Sequence, residues 1–172
     1  MNPETPVVLI ADANVLIDLA KAGALHLLRL LADHGVADIR IPRCVYEEAR
    51  REVSEHSLLA LGVTVLPVSL ETTFEAGKIE NDHLSRQDKV VAVLALRHQG
   101  EVWTNDKPLH HYCRAKNIGV HFEFEILVRL CFEGHLSNAA LVEVAARVES
   151  TNTMMRDLKL VELLKKKLKM KE

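Results

Sequence analysis

Val7-Val8-Leu9-Ile10-Ala11-Asp12 is the stretch that decides how the chain is built. Five small or apolar residues, rich in β-branched side chains, predict a buried strand, and the carboxylate that ends them predicts where the strand leaves the sheet. Asn14 and then Val15-Leu16-Ile17 follow at once, so the strand runs into a helix with almost no loop. A parallel α/β sheet begins this way, and in such sheets ligands gather outside the carboxyl ends of the strands. Asp12 therefore stands where chemistry is expected, although an aspartate there also serves as an ordinary helix N-cap.

Working outward, the apolar spacing predicts one or two helices over 15–34, with Gly23 and Gly35 as breaks. A short strand over 39–41 stops at Pro42, and a helix starts near Arg43. A strand follows over 63–68, with Pro67 pointing to a sheet edge. Residues 71–83 read as loop or short helix. A helix over 84–98, a strand over 102–104, a helix over 107–116 and a strand over 119–122 come next. Strands alternating with helices predict a parallel sheet covered on both faces. Two more amphipathic helices are expected over 124–132 and 137–148. Beyond Met154, Leu158, Val161, Leu164 and Leu168 recur at spacings of three and four with lysines opposite, the pattern of one basic amphipathic helix. The expected organisation is one domain over 1–150 and a basic helix or tail over 151–172.

The totals set outer limits. With 172 residues, 48% of them hydrophobic, 27% charged and a net charge of -2, the chain has the composition of a globular domain with room for a core. The charge is unevenly placed: Arg156 and six lysines face Asp157, Glu162 and Glu172 after position 155, a net of +4, which leaves -6 on the body. Cys44, Cys113 and Cys131 form no C-x-x-C pair and suit a reducing cytoplasm. No apolar stretch has the length of a membrane span and no basic leader precedes the first strand. The seven glycines are too widely spaced to write G-x-G-x-x-G or a P-loop, which disfavours a mononucleotide cradled by glycines.

Three more carboxylates fall at positions equivalent in kind to Asp12. Asp106 ends the run Val102-Trp103-Thr104-Asn105-Asp106, Asp88 lies in the first turn of its helix, and Glu48 follows Pro42. Each has a local explanation. Ser85-Arg86-Gln87-Asp88 is a capping box by pattern, Asp106 can cap the helix that opens with Lys107-Pro108, and Glu48 suits a helix surface. For Asp88 the periodicity adds something, because Val91, Ala92 and Ala95 lie three, four and seven residues on and turn it toward the sheet. Four carboxylates in one cleft repel one another and raise one another's pKa unless a cation screens them. Hard oxygen ligands, with no His or Cys at metal-ligand spacing, select Mg²⁺ or Mn²⁺. His110-His111 lacks the context of a metal motif and reads as a surface pair.

Together, Asp12-Ala13-Asn14-Val15-Leu16-Ile17-Asp18-Leu19, Ile41-Pro42 with Val45-x-x-Glu48, Leu84-Ser85-x-x-Asp88 before an Ala/Leu-rich helix, and Trp103-Thr104-Asn105-Asp106-Lys107 resemble the PIN-domain nucleases over about residues 5 to 135. The resemblance implies a three-layer α/β/α sandwich with a parallel, Rossmann-like sheet, to which C-terminal helices are added here. It implies a metal-dependent ribonuclease, in prokaryotes often the toxin of a toxin-antitoxin pair. The family's acidic tetrad maps onto Asp12, Glu48, Asp88 and Asp106 as catalytic and metal-binding residues, with Asn14, Thr104 and Asn105 in support. Val45 plus three favours Glu48 over Glu47. The partners implied are RNA, with Lys107, Lys165, Lys166 and Lys167 as phosphate contacts, a second copy of the chain in a homodimer, and an antitoxin-like inhibitory protein.

Two other readings compete. The Asp12 motif also resembles the nucleophile motif of haloacid-dehalogenase-type phosphatases, where the residue two positions on is normally a second Asp; here it is Asn14. A non-catalytic RNA-binding protein on the same fold is the other, and the presence of all four acids argues against it.

Overall fold

The computed structural model describes residues 5–122 and 124–169. Their sheet has the order β3-β2-β1-β4-β5, every neighbouring pair parallel. The strands are β1 (Val7–Ile10), β2 (Asp38–Pro42), β3 (Thr64–Leu66), β4 (Glu101–Trp103) and β5 (Val120–His121). β1 lies at the centre, with Val8, Leu9 and Ile10 fully buried, as a β-branched run covered on both faces requires. β1 sets Leu9 opposite Arg40 on one side and Ile10 opposite Trp103 on the other. The chain winds outward from β1 to β3, then crosses to β4, so the strand order reverses between β1 and β4. That reversal opens a crevice at the carboxyl ends of the two strands. β3 is an edge strand that ends just before Pro67, as the proline predicted.

Helices α1 (Ala13–Lys21), α2 (His26–Asp33), α3 (Arg43–Ala49) and α4 (Glu55–Ala60) connect the first three strands, and α5 (Leu70–Gly77) and α6 (Arg86–Arg97) make the crossover to β4. α7 (Lys107–Ala115) joins β4 to β5. α8 (Glu125–Phe132) and α9 (Asn138–Thr151) pack on α2 and α1 respectively. Gly23 and Gly35, at φ +63° and +65°, end α1 and α2 in the left-handed conformation that glycine adopts without steric cost. α6 is buried along six consecutive residues, Val90 to Ala95, between the sheet and α5. Each large apolar side chain hidden this way contributes about 1.5–3 kcal/mol.

The C-terminal segment departs from the expected single helix. α10 (Thr153–Asp157) and α11 (Leu160–Lys167) are separated at Lys159, whose φ of 53° and ψ of 54° are left-handed. The turn shifts the phase of the helix, so Leu160, Leu164 and Leu168 are the residues buried, while Leu158 and Val161 are only half-buried. Packing of α11 on α9 offsets the ~1 kcal/mol cost of a left-handed non-glycine residue. Glu149 completes the junction by accepting the backbone N–H of Val161 at 2.8 Å. Among the described residues no helix is long and apolar enough to cross a membrane, and the three cysteines are free.

Candidate active site

All four acids of the sequence reading lie at the carboxyl edge of the sheet, each placed there by a strand end or by the helix that follows or precedes one. Asp12 leaves β1 with extended backbone and caps α1, its Oδ1 accepting the backbone N–H of Asn14 at 2.9 Å. Asp106 leaves β4 and caps α7, its Oδ2 accepting the N–H of Leu109 at 2.9 Å. Asp88 sits in the first turn of α6 in a reciprocal capping box: its N–H donates to Ser85 Oγ at 3.1 Å, and its Oδ2 accepts the N–H of Ser85 at 2.8 Å. Glu48 is exposed near the end of α3. Its neighbour Glu47 pairs with Arg50 at 2.7 Å.

The capping explanations for the three aspartates are therefore correct, and they do not exhaust these carboxylates. Each of the three caps uses one oxygen and leaves the other outside that bond. Helix N-termini also present their positive dipole ends to the acids, which favours the ionised form.

Asp12 is the most constrained of the four. It is half-buried; burial raises its carboxyl above the usual range, and the charges of Glu48 and Asp106 push in the same direction. The charges of Glu48 and Asp106 thus reach Asp12 at the crevice between β1 and β4. The charge of Asp88 acts on Cys113 of α7. The two thiols beside the acids stay protonated: burial raises Cys44, with Glu48 adding to the shift, and drives Cys113 up to about 12. Carboxylate oxygens are then the available ligands, a set suited to a hard divalent ion. Among the described residues, no three His, Cys, Asp or Glu side chains stand close enough together to hold a metal ion as they are placed.

Asn14 and Thr104 each hydrogen-bond an acid of the site. Asn14 holds Asp12 by its main-chain N–H while the residue itself is exposed. Thr104, 1% exposed, hydrogen-bonds Asp106 at the main chain: its Oγ1 accepts the Asp106 N–H at 3.0 Å and fixes the turn that carries the carboxylate. Its own N–H donates to His121 O at 3.0 Å, which anchors it to β5. Asn105 is half-buried between them, and Lys107 is exposed at the start of α7. Of the lysines on α11, Lys165 is half-buried, Lys166 is exposed and Lys167 pairs with Glu125.

Two residues escaped the sequence reading. Asp18 is 6% exposed and accepts Asn152 Nδ2 at 2.8 Å, joining α1 to the cap of α10. Burial raises its carboxyl, and the charge of Asp12 adds to this. Val15 and Ala22, three before and four after, put Asp18 on the apolar face of α1, the same signal that singled out Asp88. Gln87, beside Asp88, donates Nε2–H to Cys44 O at 3.1 Å.

Across residues 8–166 the chain matches the family model described as a PIN domain. No curated protein matches it.

Proposed function

Since the chain belongs to the PIN-domain family, a nuclease-type fold, we propose that it is a metal-dependent ribonuclease that hydrolyses phosphodiester bonds in RNA at the acids of the β1/β4 crevice. The observation that carries the reading is the half-buried Asp12 carboxyl, raised by burial and by the facing charges of Glu48 and Asp106. An uncompensated carboxylate in that position is costly, and a divalent cation relieves the cost.

The donor chemistry fits Mg²⁺ or Mn²⁺: hard oxygens, with the neighbouring thiols protonated. Asp12, Asp106 and Asp88 would hold the ion, their side chains drawing closer around it than they stand without it. When bound, the ion lowers the pKa of a water and neutralises charge on the scissile phosphate. Glu48, exposed at the mouth of the crevice, orients the attacking water and accepts its proton. Thr104 keeps Asp106 in place by accepting its main-chain N–H, and Asn14 steadies Asp12 by donating its own main-chain N–H to the carboxylate. A toxin role follows from the same chemistry: induced expression would arrest growth, and Asp106→Asn would relieve the arrest.

The test is incubation with single-stranded and structured RNAs in Mn²⁺, Mg²⁺ or chelator, beside Asp106→Asn. Cleavage that requires both the metal and Asp106 is expected. Cleavage that survives chelator or the substitution would overturn the reading.

A further inference from the structure

A cavity of about 570 Å³ opens between the loop leading into α6 and the outer side of α7. Asn81 and His83 form one wall, and Lys107, Pro108, His111 and Tyr112 form the other. Both walls grow from acid-bearing elements. His83 precedes Asp88 by five residues, and Lys107 follows Asp106 directly. The loop wall is shaped locally, the N–H of His83 donating to Asn81 Oδ1 at 3.0 Å.

The volume lies within the roughly 300–1,000 Å³ of sites that enclose small ligands. Its lining offers flat π-faces from Tyr112 and two imidazoles, an apolar proline ring, and one ammonium. Lys116 adds a second cation over the Tyr112 ring, 5.8 Å from its centroid. Aromatic faces beside positive charge, next to an edge that is otherwise acidic, suit a base together with its phosphate.

We propose that this cavity takes one unstacked base of the RNA strand, adjacent to the phosphate at the acids, with the base against Tyr112 and Lys107 on the neighbouring phosphate. The inference rests on the nuclease reading and deepens it. A base held in a duplex cannot enter without leaving its stack, so the cavity selects single-stranded RNA.

The test compares the wild type, Tyr112→Phe and Tyr112→Ala for binding of a fluorescein-labelled single-stranded oligoribonucleotide, measured by anisotropy in Ca²⁺. A matched series carries one abasic nucleotide stepped along the strand. Tyr112→Ala is expected to weaken binding about tenfold, the scale of one base on an aromatic ring, and Tyr112→Phe to bind as the wild type does. One abasic position should weaken wild-type binding equally and cost Tyr112→Ala nothing more. Equal affinity of Tyr112→Ala and wild type would overturn the proposal, as would abasic penalties that add to the substitution at every position. Because binding is read without cleavage, a wild type that cuts no RNA counts against the nuclease reading and leaves this comparison intact.

Discussion

Gln87 donates its side-chain amide N–H to the carbonyl oxygen of Cys44 at 3.1 Å, across 43 positions of sequence. By this bond the first turn of α6, which carries Asp88, is fastened to the first turn of α3, the helix that carries Glu48. Two acids that come from different crossovers are thereby held to one edge of the sheet.

Gln87→Met keeps the side-chain length and removes the donor. The loss of one half-buried hydrogen bond costs about 1 kcal/mol, which lowers Tm by about 2–4 °C in a chain of this size. RNA cleavage should fall further, about tenfold, because small misplacements of reacting groups are expensive. A lower Tm with an unchanged cleavage rate would make the tie a purely structural one.

Asp12 sets a stability that depends on pH. A carboxyl raised on folding holds its proton more tightly in the folded chain than in the unfolded one, so its ionisation opposes folding. The penalty is absent in acid and grows as pH rises from the ordinary carboxylate range through the raised value. Asp12→Asn removes it and keeps the cap on α1, since Asn and Asp cap equally well. Without metal, calorimetry at pH 7 should find the variant melting above wild type, with the two converging in acid. Mn²⁺ should then raise the Tm of the wild type alone. A variant less stable than wild type at pH 7 without metal would show that Asp12 is a cap and nothing more.

Deletion of the lysine-bearing helix would not isolate its charge. Leu160, Leu164 and Leu168 are buried, and truncating a single core leucine costs about 2–5 kcal/mol. Lys167 already pairs with Glu125. The informative variant is Lys165→Gln with Lys166→Gln, which should leave Tm nearly unchanged. If these lysines touch phosphates, the slope of log affinity against log salt should fall by about one for each lysine that does so. An unchanged slope would assign them to solvent.

The sheet was legible because its signals were local and agreed with one another. Val7 to Ala11 is apolar on both faces, Pro67 marks an edge, and Gly23 and Gly35 fall where the left-handed stops occur. Asp12, Asp88 and Asp106 stood out for a similar reason, as polar residues at strand ends or on an apolar helix face, whereas Glu48, exposed on α3, rests on the family resemblance. What escaped depends on distant partners. The break at Lys159 carries no glycine or proline to announce it, and it exists because Leu160, Leu164 and Leu168 find α9. Residues 70–77 form α5, where the sequence left loop or short helix open; Ser69 caps it by accepting the N–H of Thr72 at 3.1 Å, and packing on α6 fixes it. Asp18 was readable by spacing, but its partner Asn152 lies 134 positions away.

The central claim is that Asp12, Asp88 and Asp106, with Glu48, direct a metal-activated water at the phosphorus of RNA. Mass spectrometry of the ends left on an oligoribonucleotide after cleavage in Mn²⁺ tests it most directly. Attack by water gives one linear phosphate monoester and one hydroxyl at each cut, with none formed in chelator or by Asp12→Asn. A 2′,3′-cyclic phosphate end would mean that the ribose hydroxyl is the nucleophile, and the same products from Asp12→Asn would mean that the crevice is not where the bond is cut.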